Sequence, residues 1–197
     1  MTGPRPREVR LIGGQWKRSK LPVMDRLGLR PTPDRVRETL FNWLGQDLTG
    51  WRVLDAFAGS GALGFEAASR GAAEVTLLER DAILCASLQA SQARLGAAAL
   101  RVERAEAIAW MARCAVARFD LVLLDPPFDA GLSVPAQAAA ARLAPPGGFV
   151  YLESGQALDD WPVGLQLHRT ARAGAVHSQL FLRSEDFARA TLAPPTP

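Results

Sequence analysis

Asp125-Pro126-Pro127-Phe128 comes directly after an almost wholly apolar run, Phe119 to Leu124. Proline fixes φ and removes the backbone donor, so the Pro126 carbonyl can face a ligand without a competing local bond. The Asp125 carboxylate and that carbonyl then make two acceptors, which suits the two hydrogens of an exocyclic amino group. Accepting both raises electron density on the nitrogen and aims its lone pair at an electrophilic methyl carbon, so that positioning and electrostatics carry the rate. Asp125 can also take the proton that such a transfer releases. Phe128 offers a ring on which a base stacks, worth about 1–3 kcal/mol. A base paired in a duplex cannot reach such a pocket, so its target is unpaired or flipped. In isolation the same four residues read equally well as a proline-stiffened turn.

A second stretch gives the first its meaning. Val53-Leu54-Asp55-Ala56-Phe57-Ala58-Gly59-Ser60-Gly61-Ala62-Leu63-Gly64 leaves a short buried strand and opens a helix. Its glycines allow a tight turn and close approach of backbone to ligand. The segment matches G-x-G-x-x-G, and an acid, Glu79, follows about twenty residues on, where it suits ribose hydroxyls. A nicotinamide-dependent oxidoreductase shares that pattern. Asp55 argues against one, because its charge opposes a pyrophosphate and suits the ammonium of a methionine moiety.

Charge is unevenly spread. Ten Lys and Arg against three acids through Arg37 give +7, which leaves −4 for the remainder of a chain whose net charge is +3. A basic arm on a mildly acidic body is the footprint of a phosphate-binding element, and a solvated basic tail is the plainer reading. The composition, 48% hydrophobic and 22% charged over 197 residues, is that of a globular domain. No apolar run is long enough for a bilayer span, and Met1 to Arg10 lacks the apolar core of a secretory signal, so the expected location is cytoplasmic. Cys85 and Cys114 fall in helical segments outside any C-x-x-C spacing and read as small apolar residues, with no metal site expected.

These residues need a frame. Thr32-Pro33-Asp34 reads as a helix start with Thr32 as N-cap, and Val36, Leu40, Trp43 and Leu44 recur at helical spacing up to Gly45. Ahead of it lies one short strand, Glu8 to Ile12, and a basic loop around Trp16. Beyond Trp51 strands and helices alternate. Strands are expected at Val53-Leu54, Glu74 to Leu78, Leu100 to Glu103, Phe119 to Leu124 and Phe149 to Glu153. Helices are expected over Ala62 to Ser69, Ala82 to Leu95, Glu106 to Ala115 and Ser133 to Leu143. Two last strands, Gly164 to His168 and Val176 to Leu182, turn at Ala173-Gly174. The alternation predicts an α/β fold with a mostly parallel sheet and right-handed crossovers. The chain divides into a basic extension (residues 1–50), a catalytic domain (51–185) and a Pro-rich tail (186–197) that reads as disordered.

Asp-Pro-Pro-aromatic after a fourth strand resembles the amino-group methyltransferases that act on nucleic-acid bases. Arg10-Leu11-Ile12-Gly13-Gly14-Gln15-Trp16-Lys17-Arg18 and the block Gly28 to Leu44, with Arg30-Pro31-Thr32-Pro33-Asp34-Arg35-Val36-Arg37-Glu38 at its centre, are similar to signature stretches of the RsmD-type family of bacterial 16S rRNA guanine-N2 methyltransferases. The resemblance runs from about Val9 to Leu182. It implies a Rossmann-like class I fold, a seven-stranded sheet ending in an antiparallel hairpin, and S-adenosyl-L-methionine as cofactor. It further implies a monomer acting on 16S rRNA in a partly assembled small subunit, with no membrane and no metal. By that resemblance Asp55, Phe57, Gly59, Ser60, Gly61, Glu79, Arg80, Glu106 and Asp125 hold the cofactor, with Glu106 near the adenine edge. Asp125, Pro126, Pro127 and Phe128 hold the guanine. Arg10, Lys17, Arg18, Arg30, Thr32, Arg35 and Arg37 lie on the RNA side.

Three positions depart from the family pattern. Ala56 replaces a larger aliphatic residue, and His177 and Gln179 stand where an aromatic and an arginine are expected. Two alternatives remain open on the sequence: a DNA adenine-N6 methyltransferase, which shares the Pro-Pro-aromatic motif, and a non-catalytic RNA-binding ribosome assembly factor.

Overall fold

The computed structural model describes residues 7–24, 32–128 and 131–184. Arg30 and the tail 186–197 lie outside them. The element that carries the candidate chemistry is β6 (Leu121–Leu124), four aliphatic residues, all buried. Successive strand side chains point to opposite faces, and here each face has its own core. Leu121 and Leu123 join one cluster, with Val53 of β3 (Arg52–Asp55), and Val122 and Leu124 join the other, with Leu54. A strand apolar at every position is the signature of a sheet covered on both sides.

The first face is covered by α1 (Asp34–Trp43), α2 (Ala62–Ser69) and α3 (Ala82–Leu95), through residues such as Leu40, Phe65 and Leu88. The second is covered by α4 (Ala107–Arg113) and α5 (Ser133–Ala141), through Met111, Ala136 and Ala140. The remaining strands of the sheet are β4 (Glu74–Glu79), β5 (Leu100–Arg104), β7 (Phe149–Ser154), β8 (Leu165–Ala173) and β9 (Val176–Arg183). The order across the sheet is β5-β4-β3-β6-β7-β9-β8. Pairing is parallel from β5 to β7, and β9 runs antiparallel to both β7 and β8. This is the Rossmann-like class I arrangement with the expected C-terminal hairpin. The order reverses between β3 and β6, so the carboxyl ends of these two strands border the crevice where such sheets bind ligands. Asp55 and Asp125 sit at those two ends.

The first fifty residues depart from expectation in two ways. A second strand, β2 (Lys20–Val23), pairs antiparallel with β1 (Arg7–Arg10). Its Pro22 disguises it in the sequence, but the pair forms a separate two-stranded sheet in which an exposed proline is tolerated. Helix α1 begins one step later than Thr32 would place it: Pro33 is the N-cap, and no side chain caps the helix.

The hairpin shares the main core, since Val9, Leu11, Leu21 and Val23 pack in the same cluster as Phe41 and Phe65. It is also bonded to α2. Ile12 N donates to Glu66 Oε2 at 2.9 Å, Gln15 N to the Ser69 carbonyl at 2.7 Å, and Ser69 Oγ to the Gly13 carbonyl at 2.6 Å. The Gly14 backbone runs so close to α2 that a Cβ there would lie 1.8 Å from the Ser69 carbonyl oxygen.

Arg37 belongs to this junction and not to an RNA surface. Its side chain is 0% exposed and bridges Glu66 at 3.3 Å and Asp34 at 2.6 Å. It also donates to the carbonyls of Thr32 and Arg10. The basic-arm count included a charge whose place on α1 faces the core. Arg37→Ala should therefore lower folding stability by about 3–5 kcal/mol, because removing one partner leaves buried charge and carbonyls without theirs. Urea unfolding measures this, and an unchanged midpoint would refute the structural role.

Candidate active site

Asp55 is the last residue of β3 and 1% exposed. Its Oδ2 accepts from Gly64 N at 2.9 Å, which requires α2 to pass directly beneath it. A Cβ on Gly64 would lie 2.2 Å from Leu77 Cδ2 and 3.0 Å from that same Oδ2, so glycine is needed for the approach. Asp55 Oδ1 is buried and has no hydrogen-bond partner. Burial pushes the carboxyl up to about 7. The Gly64 amide pulls it back, and the Asp125 and Glu79 charges push it further.

Between Asp55 and α2 the chain makes a tight loop. Gly59 and Gly61 have φ of 52° and 79°, in the left-handed region that favours glycine. Gly59 N donates to Glu79 Oε2 at 3.1 Å, and Asp81 N to Glu79 Oε1 at 2.8 Å. Glu79, at the end of β4, is thereby held against the loop. Phe57, Gly59 and Ser60 are half-buried, and Gly61 is buried. Arg80 is exposed, and its carbonyl accepts from Arg104 Nε at 3.2 Å. Glu106 caps α4, accepting from Ile108 N at 3.1 Å and Ala109 N at 2.7 Å. That cap is a use for Glu106 that the sequence pattern did not signal.

Asp125 leaves the end of β6 half-buried, Pro126 is buried and Pro127 exposed. Phe128 is 42% exposed. Thr32 was expected on the RNA side. It is instead 5% exposed, and its hydroxyl donates to Asp125 Oδ2 at 3.2 Å. That hydrogen bond spans 93 residues of sequence, so spacing alone could not show it, and it explains why Thr32 does not cap α1. Burial raises the Asp125 carboxyl to about 6, against the lowering effect of the Thr32 hydroxyl.

Behind Asp125 stands a group that sequence reasoning missed. Leu124 pairs with Leu152 in parallel register, so Asp125, just past the end of β6, comes beside Glu153 within β7. Glu153 is 2% exposed, and the Tyr151 hydroxyl lies 3.0 Å from its Oε1. An acid inside the apolar strand Phe149-Val150-Tyr151-Leu152-Glu153 was the available signal.

Of the basic residues, Arg10, Lys17, Arg18 and Arg35 are exposed. Lys17 and Arg18 form the turn between β1 and β2, and Arg10 meets Asp34 at 3.2 Å in a surface pair. His177 is half-buried in β9 opposite Ser154, and Gln179 is buried with its amide bonded to the Leu158 backbone. Cys85 is buried on α3, and burial pushes its thiol up. Among the described residues no three His, Cys, Asp or Glu side chains are grouped to hold a metal ion, and no helix is long and apolar enough to cross a membrane.

The family model described as conserved hypothetical protein 95 matches residues 9–182. Ribosomal RNA small subunit methyltransferase D of Escherichia coli (strain K12) is 42% identical over 184 residues, covering 89% of this chain and 90% of that protein. The chain belongs to this family, the RsmD-type methyltransferases. Its Haemophilus influenzae member is also 42% identical, over 75% of this chain and 79% of that protein. The solved structure of the E. coli protein yhhF superposes on this RsmD-type chain with a TM-score of 0.81 at 39% identity, covering 90% of this chain and 98% of that one. A T. thermophilus 16S rRNA N2 methyltransferase, RsmC, solved with AdoMet and guanosine, superposes with a TM-score of 0.65 at 26% identity, covering 91% of this chain and 50% of that one.

Proposed function

We propose that this RsmD-type chain transfers a methyl group from S-adenosylmethionine to the exocyclic N2 amino group of a guanine in 16S rRNA. The observation that carries the reading is the pair of acids flanking the switch point, Asp55 on β3 and Asp125 on β6. The likeness to a 16S rRNA N2 methyltransferase solved with AdoMet and guanosine supports it.

The residues present fit the cofactor. The unpartnered, buried Asp55 Oδ1 calls for a donor, and a methionine ammonium is one of the right charge. The Gly59 to Gly61 turn brings bare backbone to the same place, and Glu79, fixed by two amides, keeps further lone pairs for ribose hydroxyls. Arg80 and Glu106 follow their strands at the same edge of the sheet. Bound there, S-adenosylmethionine supplies an electrophilic methyl group on a sulfonium. Asp125 accepts one amino hydrogen and the Pro126 carbonyl the other, Phe128 stacks on the guanine, and Asp125 takes the proton that leaves the nitrogen. Pro127 keeps the turn rigid.

The exposed cations Arg10, Lys17, Arg18 and Arg35 are assigned to rRNA phosphates, on an otherwise monomeric protein acting in the bacterial cytoplasm on partly assembled subunits. Reversing Lys17 and Arg18 to Glu should reduce the slope of log binding constant against log salt by about 2, roughly one for each phosphate no longer neutralised. An unchanged slope would remove that turn from the interface. The function itself is tested with labelled S-adenosylmethionine offered to small-subunit particles and, separately, to adenine-containing DNA. Label in 16S rRNA alone supports the proposal, and label in DNA alone would replace it with an adenine-N6 reaction.

A further inference from the structure

Glu153 has no part in the reaction as written above, yet its surroundings tie it to Asp125. It is 2% exposed and lies beside Asp125 across the β6–β7 register. The groups that act on its charge are the Asp125 carboxyl at the end of β6, the Asp55 carboxyl of β3, the Tyr151 hydroxyl of its own strand, and the Thr32 hydroxyl. On β9, Ser178 is its register partner. The Tyr151 hydroxyl is 3.0 Å from Glu153 Oε1 and 3.1 Å from Ser178 Oγ, and so links the two. The Thr32 hydroxyl donates to Asp125 Oδ2 at 3.2 Å and also favours charge on Glu153.

Two carboxyl groups enclosed side by side cannot both carry charge without strong repulsion, so the pair retains a proton. Asp125 is open on its ligand side and receives the Thr32 hydrogen bond, whereas Glu153 is closed in on every side. We infer that Glu153 is a positioning residue for methyl transfer: protonated behind Asp125, it leaves Asp125 as the single charged acceptor facing the amino group and keeps the Thr32 hydroxyl turned toward it. The inference rests on the function proposed above. Burial, with the Asp125 charge beside it, holds the Glu153 carboxyl well above the usual carboxylate range, while Asp125 sits at about 6. When Glu153 ionises, a second charge forms, and the one Thr32 hydrogen cannot serve both acids. The grip on Asp125 is lost and turnover falls.

The test is the pH profile of kcat for the full chain and its Glu153→Gln variant on small-subunit particles. The wild type should rise through about pH 6 as Asp125 ionises and fall again at higher pH as Glu153 ionises. Glu153→Gln, which cannot ionise, should keep the rise and lack the fall. Its kcat at pH 7 should drop about tenfold, the equivalent of one disturbed hydrogen bond, with KM for S-adenosylmethionine unchanged. Melting curves establish that the variant is folded, and Glu153→Asp, which can ionise, should restore a fall on the high-pH side. A Glu153→Gln profile that keeps the wild-type fall on the high-pH side would overturn the inference. Absence of transfer by the wild type itself would instead overturn the proposed reaction, and this inference with it.

Discussion

Asp125→Ala is expected to retain most of its affinity for S-adenosylmethionine, which Asp55 and Glu79 still hold, and to transfer methyl at least about a thousandfold more slowly. Two effects are lost together. The amino group loses its charged acceptor, and electrostatic groups of this kind are worth about 100- to 1,000-fold each. The proton released from nitrogen loses its destination, worth a further factor of about 100 or more. Such contributions overlap in one residue, so their product is a ceiling. Asp125→Asn keeps an acceptor oxygen and the Thr32 hydrogen bond but not the charge, and should fall between the two. The pH profile has a definite sign. Asp125 ionises at about 6, and only the charged form accepts well, so kcat rises with pH through that value. Single-turnover transfer with pre-bound cofactor measures this directly, and a variant that transfers at the native rate would place the chemistry elsewhere.

Asp55→Asn has the second large effect, and it runs in two directions. Cofactor affinity should fall about 100-fold, the equivalent of roughly 3 kcal/mol for a charge-assisted hydrogen bond to an ammonium. Without cofactor, the same change should flatten the dependence of stability on pH. Asp55 is held at about 7 in the folded chain by burial, against about 3.9 when unfolded. Between those values the folded state binds the extra proton. The favourable contribution is therefore complete below about pH 4 and is lost as pH rises through about 7. Its size is on the order of 4 kcal/mol, one pKa unit being about 1.4. Urea unfolding of the cofactor-free wild type should show stability falling from pH 4.5 to 7.5, and the Asn variant should lack this component. Calorimetry gives the affinity. Equal affinities in the two proteins would deny Asp55 a place at the cofactor.

The frame was legible because its signals are local. The all-apolar β6, the Gly59 to Gly61 loop and the regular alternation after Trp51 each follow from neighbouring residues, and the sheet confirms them in type and order. The sequence signals for β2 were weaker, since it is four residues long and interrupted by Pro22. β8 is longer than its polar sequence suggested, because an edge strand exposed along most of its length shows no hydrophobic period. In the candidate site, Asp55, Glu79 and Asp125 were legible because each ends a strand. Thr32, Arg37 and Glu153 were misread or missed for a common reason. Their surroundings are set by pairings such as Thr32 with Asp125 and Arg37 with Glu66, far apart in sequence. Charge counting places an arginine at the surface by default, and only the packing of α1 against α2 shows Arg37 inside.

The most direct test of the central claim is the identity of the methylated nucleoside. Small-subunit particles from a strain lacking this activity are incubated with the protein and labelled S-adenosylmethionine, and the 16S rRNA is then digested to nucleosides. Label is expected in N2-methylguanosine, and is expected to be absent when Asp125→Ala replaces the wild type. Label in any other nucleoside, or equal label with the variant, would contradict it.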